Sequence, residues 1–245
     1  MRPVCIGRHR QAHPHMQSSS RTESSRSTLP PSAAIRRSLG LYTGQPLGIR
    51  GFVLARSILA PLARVLAEMP TSGRLLDVGC GHGLFANALA LGSADRQVLG
   101  VDPSGAKIAV ARASSSSVAN VRYEHGMVQA VDDGEFDGIS ILDVLYLLPV
   151  EEKLAVLRAC RERISPSGVL VLKTNDTRPP WKYRVARLQE QLMTGLGLTL
   201  SHGDLHFLSR EQNAGLLELT GFQPRIVDLN TWLPYPHVMF VSRPV

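Results

Sequence analysis

From residue 38 onward, short apolar runs alternate with stretches of helical period, and few folds accept that order. RLLDV, QVLGVD, VRYEH, FDGISIL and GVLVLKT read as five strands. LFANALAL, PSGAKIAVARA and the face made by Leu154, Leu157, Cys160 and Ile164 read as the helices between them. Gly92 stands where the residue after a helix end belongs, and Pro103 suits a helix start. Strands joined by such helices favour right-handed crossovers, so an α/β, doubly wound, mostly parallel sheet with helices on both faces is expected. Ahead of it, IRGFVLARSILAPLARVLAEM is helical, with Pro61 either kinking one helix or opening a second. Behind it, Ser209 and Gln212 make a capping box for REQNAGLLELTG, which Gly221 ends, and QPRIVDL and HVMFVSR read as two last strands.

Open parallel sheets bind ligands at the carboxyl ends of their strands, which places the search just after Val78, Val101, Tyr123, Leu142 and Thr174. After the first strand stands LLDVGCGHG, with Asp77 two residues before Gly79 and further glycines at 81 and 83. Such glycines let the backbone turn sharply and approach a ligand, and the helix that follows offers unpaired N–H groups to an anion. Asp102 lies 19 residues past Gly83, near the separation at which an acid meets a ribose diol. A dinucleotide loop wants its third glycine one position later, where this chain has Leu84. A carboxylate at 77 also repels a diphosphate. The turn suits a ligand with one ammonium and one carboxylate.

On these residues the chain resembles the class I S-adenosylmethionine-dependent methyltransferases. Asp77, Gly79, Gly81 and Gly83 match the family's first motif, Asp102 ends its second, FDGISILDVLYLLP looks like its fourth, and LRACRERISPSGVLVLK looks like the helix, turn and fifth strand that follow. The resemblance is close over residues 70–176 and loose over 177–245. It implies a Rossmann-like methyltransferase fold with a seven-stranded sheet, and S-adenosyl-L-methionine as cofactor. The backbone of Gly79, Cys80, Gly81 and Gly83 is then expected to face the methionine part, with Asp77 near its ammonium. Asp102 is expected to accept both ribose hydroxyls, Pro103 to lie against the adenine, and Asp143 to sit near the methionine end and the transferring methyl. Many members carry an acid after the third strand that accepts from the adenine amino group. Here Met127 follows Gly126, so backbone groups of Met127 and Val128 are expected to replace that contact.

The resemblance implies methyl transfer and is close to silent on the acceptor; a small molecule is expected, with a lipid-like one as the narrower reading that the helical stretch at 49–69 suggests. A sulfonium methyl is already a good electrophile, so the protein mainly aligns donor and acceptor and excludes water. A hydroxyl or amine acceptor can call for a base, and Asp143, Tyr146, His202 and His206 are the candidates. Each has a plainer reading: Asp143 as a cofactor ligand, Tyr146 as packing, the histidines as loop residues. His202 and His206 frame Asp204 at metal-ligand spacing, but Gly203 and the lack of a third ligand argue against a metal. TRPPWK, emerging at the ligand edge, reads as part of a substrate lid. Two other classes compete: an NAD-dependent oxidoreductase or epimerase, which the glycine spacing disfavours, and a non-catalytic S-adenosylmethionine-binding domain, for which Met127 is the only hint.

The formal net charge of +7 invites a nucleic-acid partner, but residues 1–37 hold seven arginines against Glu23 alone. The remaining chain has twenty bases and nineteen acids, without the surplus that a run of phosphates demands. The fourth strand ends in LDVLY, not in an Asn-Pro-Pro-aromatic motif of the kind associated with base amines, so no nucleic acid is expected. Residues 1–37, rich in Ser, Arg and His, have too little apolar surface to offset the entropy of ordering. They read as a disordered leader to a methyltransferase domain at 38–245: an upstream start, a solvated tail or a transit peptide. Cys5, Cys80 and Cys160 are too far apart to suggest a zinc site or a disulfide framework, which fits a cytoplasmic protein. No run of 18 apolar residues exists to span a bilayer. The helical stretch at 49–69, carrying Arg50, Arg56 and Arg64, is expected to cover the cofactor cleft, with a peripheral membrane contact as the minority reading.

Overall fold

The computed structural model describes residues 1, 28–195, 206–230 and 234–245. Seven strands form one sheet: β1 (Gly73–Val78), β2 (Arg96–Asp102), β3 (Val121–His125), β4 (Phe136–Leu142), β5 (Ile164–Asn175), β6 (Phe222–Asp228) and β7 (His237–Pro244). Their order is β3-β2-β1-β4-β5-β7-β6, with β1 to β5 parallel and β7 antiparallel to both its neighbours. Strand periodicity splits the core into two layers. Leu75 of β1 packs with Val98 and Leu89 on one face, while Leu76, the next residue, packs with Leu99 and Leu157 on the other. Helices α1 (Pro31–Gly40), α2 (Leu47–Leu59), α3 (Leu62–Ala67), α4 (Leu84–Gly92), α5 (Gly105–Ser114), α6 (Val150–Arg163), α7 (Pro180–Gly195) and α8 (Arg210–Leu219) complete the described fold. The chain reverses direction in the sheet between β1 and β4, which opens the crevice where such folds take ligands.

Two local expectations change, and one open choice is decided. The leader was expected to run to residue 37, yet α1 begins at Pro31, so the ordered body starts earlier than 38. Ala34, Ile35 and Ser38 are buried at one helical face, and the Leu29 N–H reaches the Gly92 carbonyl at 2.8 Å. That small apolar stripe sits within a polar, arginine-rich composition, which masks it. Most of the expected leader, residues 2–27, lies outside the described residues. Gly92 is the last residue of α4 rather than the one beyond it, and a Cβ there meets the Arg96 guanidinium at 2.7 Å. Arg96 is itself buried and caps the Leu89 and Pro70 carbonyls at 2.9 and 2.7 Å. Pro61 separates two helices: Ala60 before it is extended, as a residue preceding proline prefers, and α3 starts at Leu62. The capping box of Ser209 and Gln212 forms as expected.

Candidate active site

The carboxyl ends of β1, β2, β4 and β5 converge on a cavity of about 250 Å³. At one end is the glycine turn. Gly79, Gly81 and Gly83 all take positive φ, and each meets a different constraint. A Cβ on Gly79 meets Val144 at 2.3 Å and one on Gly83 meets the Tyr123 hydroxyl at 2.6 Å, whereas one on Gly81 meets nothing within 4 Å. Thus residues 79 and 83 serve packing, and the open side of residue 81 faces the cavity. Buried hydroxyls hold the turn from behind. Tyr42 donates to the His82 carbonyl at 2.7 Å, and Tyr123 donates to the Asn87 side chain at 2.8 Å.

Asp77 projects from β1 into this end. One carboxylate oxygen accepts from Ser140, its cross-strand partner on β4, at 2.7 Å; the other, Oδ2, is buried with no hydrogen-bond partner. Burial pushes the Asp77 carboxyl up to about 7, against the opposing Ser140 hydrogen bond. Such an acceptor is open to a hydrogen-bond donor from outside the fold. Asp102, at the end of β2, ties the turn together by accepting from the Gly81 N–H and the Ser104 N–H, each at 2.9 Å. A carboxylate has about four lone-pair sites, so two backbone donors leave capacity for two ribose hydroxyls. Pro103 and Cys80 line the same end of the cavity.

Asp143, a non-glycine residue with φ of 59° just after β4, lines the same cavity. The Lys173 ammonium, buried on β5, grips both its oxygens at 2.7 and 2.8 Å, and Arg56 of α2 lies 3.4 Å away. Burial works against the Asp143 carboxylate, yet Lys173, then Arg56 and His237, hold its pKa below the ordinary value. A carboxylate paired in this way does not take up a proton near neutrality. Other parts of the lining are apolar: Phe52, Val53 and Leu59 of α2, with Leu147 and Leu148 after β4.

The structure brings together Asp77, Gly79, Cys80, Gly81, Asp102, Pro103, Asp143 and Tyr146 around one cavity. Gly83 supports the turn from outside the lining. Tyr146 is buried and stacks on Phe207 at 4.9 Å. Two expectations are not met by this geometry, those at His206 and at TRPPWK. The Met127 side chain is exposed and that of Val128 packs in the core, which leaves open the backbone groups expected to meet the adenine. His206 is exposed and outside the lining; only its backbone is engaged, through the Tyr146 carbonyl and the Lys153 ammonium. His202 lies outside the described residues, as does Asp204. TRPPWK contributes no lining residue, and Trp181 at the start of α7 is exposed. Among the described residues no group of three His, Cys, Asp or Glu could hold a metal ion. Sequence reasoning missed the basic and polar members Lys173, Asn175 and His237, and placed Arg56 on the covering helix without a role in the site. The signal for one of them was visible: Lys173 is a charge inside the apolar run GVLVLKT.

Comparison with known proteins agrees with this arrangement. A family model described as "Methyltransferase domain" matches residues 53–226. A ubiquinone biosynthesis O-methyltransferase of Dinoroseobacter shibae is 32% identical over 177 residues, covering 70% of this chain and 69% of that protein. One of Psychrobacter cryohalolentis is 32% identical over 135 residues, covering 53% and 49%, so the chain spans about half the length of several curated relatives it matches. A magnesium protoporphyrin IX methyltransferase from Synechocystis, solved with bound S-adenosylhomocysteine, shares the fold with a TM-score of 0.58 at 20% identity, over 87% of this chain and 94% of that one. The unpartnered Asp77 oxygen, the open face of Gly81 and the aspartate at the end of β2 fit S-adenosyl-L-methionine, and the chain belongs to the class I S-adenosylmethionine-dependent methyltransferases.

Proposed function

We propose that this chain moves the methyl group of S-adenosylmethionine to a hydroxyl oxygen of a small, lipid-like acceptor. The observation that carries the reading is the continuity of one cavity, from the orphaned Asp77 carboxylate past Asp143 to the apolar wall of Phe52, Val53, Leu59, Leu147 and Leu148. The name carried by the relatives, ubiquinone biosynthesis O-methyltransferase, supports an oxygen acceptor and a small apolar molecule. When bound, the cofactor supplies a methyl group already activated by its sulfonium. Asp77 and the turn at 79–83 bind its amino-acid part, and Asp102 holds the ribose. Asp143, neutralised by Lys173 and Arg56, shapes the cavity wall without acting as a base. The α2 side chains exclude water and leave the acceptor oxygen in line with the methyl.

The outward side of α2 extends the reading. Leu47, Leu54 and Ile58 are exposed along it, beside the exposed Arg50, while the inward side lines the cavity. A basic amphipathic helix placed over an apolar pocket suits peripheral contact with a membrane that holds the acceptor. No helix among the described residues is long and apolar enough to cross one. A cytoplasmic location, supported by the free thiols Cys80 and Cys160, completes the proposal.

Incubation with radiolabelled S-adenosylmethionine and two extracts, one organic and one aqueous, tests the acceptor class. Label is expected in organic-phase products; label confined to aqueous solutes or to macromolecules overturns it. Sedimentation with anionic vesicles at low salt tests the contact. Binding is expected for the unmodified protein and not for the Leu54→Glu, Ile58→Glu double variant, and no binding by either removes the membrane step.

A further inference from the structure

Two buried polar atoms in the cavity lining, besides that of Asp77, lack partners: Nδ1 of His237 and Oδ1 of Asn175. They are neighbours by construction, because Asn175 of β5 and His237 of β7 are direct antiparallel partners, so their side chains rise from the same face of the sheet. Lys173, two residues back along β5, shares that face. The state of the His237 ring follows from its other nitrogen. Nε2 lies 3.0 Å from the carbonyl oxygen of Leu59, and a carbonyl only accepts, so Nε2 carries the hydrogen. In the neutral ring Nδ1 then has a bare lone pair. Burial and the Lys173 charge, opposed by Asp143 and by the Leu59 bond and aided by Arg56, hold the imidazole pKa down to about 4, so the neutral form prevails at neutral pH. The groups facing it are Lys173 on β5, Asp143 after β4 and Arg56 on α2, and Tyr235 stacks on its ring at 5.7 Å.

We propose that His237 is the proton acceptor for the acceptor's hydroxyl, with Asn175 as the second hydrogen-bond acceptor that holds the hydroxyl-bearing end. The assignment rests on the cavity being the methyl-transfer site. As the hydroxyl oxygen forms its bond to the methyl carbon, the carbon–sulfur bond breaks with its electron pair passing to sulfur, and the O–H proton moves to His237 Nδ1. Nε2–H keeps its bond to Leu59 throughout, which fixes the ring among the lining residues. The low imidazole pKa then returns the proton to solvent. Asp143 cannot take this role while Lys173 grips both its oxygens.

The test compares the unmodified protein with His237→Gln, using phenol as a weakly acidic probe and 4-nitrophenol as a far more acidic one. Removal of a general base costs roughly 10²- to 10⁴-fold in turnover. That loss is expected with phenol at pH 7, with a much smaller one for 4-nitrophenol, which ionises unaided. S-adenosylhomocysteine affinity by calorimetry stays unchanged. Equal losses with both probes, or none, overturn the proposal. So does an unmodified protein that binds S-adenosylhomocysteine but neither binds nor methylates either phenol, and the methyl-donor reading then survives. Failure to bind S-adenosylhomocysteine overturns that reading itself. A second measurement needs no variant: ¹⁵N NMR of the His237 ring. It should report Nε2–H with bare Nδ1, and the Nδ1 signal should move when phenol is added with S-adenosylhomocysteine. An Nδ1–H tautomer, or a signal that phenol leaves in place, overturns the assignment.

Discussion

Asp77 and Asp143 stand at the carboxyl ends of adjacent strands on one cavity, Asp77 buried and the Asp143 side chain 8% exposed, and their acidities move in opposite directions. Burial penalises both ionised forms. Asp143 overcomes it with two close cations, while Asp77 has the Ser140 hydroxyl, the weaker pull of Arg56 and a backbone group of Ala86, and these leave burial dominant. The difference separates a carboxylate whose charge is balanced within the fold from one that waits for a ligand's charge. Perturbed acidity alone marks neither as functional; the missing partner does.

The largest expected effect comes from stripping Asp143 of its partner. Lys173→Met roughly keeps the volume and leaves a buried carboxylate with Arg56 alone at 3.4 Å, so the loss should be about 3–5 kcal/mol by urea denaturation. Adding Asp143→Asn should restore part of it. A loss under about 1 kcal/mol would mean that the buried pair is not what makes Asp143 self-sufficient.

The opposite outcome is expected at the other aspartate. The Asp77 pKa is raised in the folded protein, so its favourable contribution is full below the unfolded value and disappears as pH rises through about 7. Above that pH the free protein carries a buried, unpaired charge. Asp77→Asn should therefore raise stability at pH 8, by roughly 4 kcal/mol for a rise from 3.8 to about 7, while weakening cofactor affinity. For the unmodified protein, S-adenosylhomocysteine affinity should fall roughly fivefold from pH 7 to pH 6, because a proton must leave Asp77 before the ammonium can pair with it. The variant should show no such slope in calorimetry. A flat profile in both would place the ammonium elsewhere.

Much of this molecule was legible in its sequence because local rules govern it. The strand–turn–helix around Asp77 and the break at Pro61 follow from period, glycine and proline alone. The closing capping box is equally local. Asp102 could be found for the same reason: it is set by its distance along the chain from the glycine turn. What was not legible depends on contacts between distant segments. His237 lies 178 residues from the Leu59 carbonyl that fixes its tautomer, and Lys173 lies 30 from Asp143. Asn175 meets His237 only through an antiparallel register that no short motif encodes.

Smaller effects sharpen the contrast between the ligand-ready end and its scaffold. Tyr42→Phe deletes a buried hydroxyl that serves the His82 carbonyl and accepts from Asn87 at 3.2 Å. Unmet groups of this kind cost about 1–3 kcal/mol, so a stability loss in that range is expected. The Asp77 pH slope should survive, since the charge imbalance is untouched. The least effect belongs to Arg225→Ala, which breaks an ion pair to Glu68 at 2.8 Å whose Arg225 side chain is 60% exposed. Water already solvates that cation, and holding two long side chains together costs entropy, so less than about 1 kcal/mol should be lost. If Arg225→Ala proved as damaging as Lys173→Met, burial would not be what separates a costly pair from a cheap one. The contrast between Asp77 and Asp143 would then need another cause.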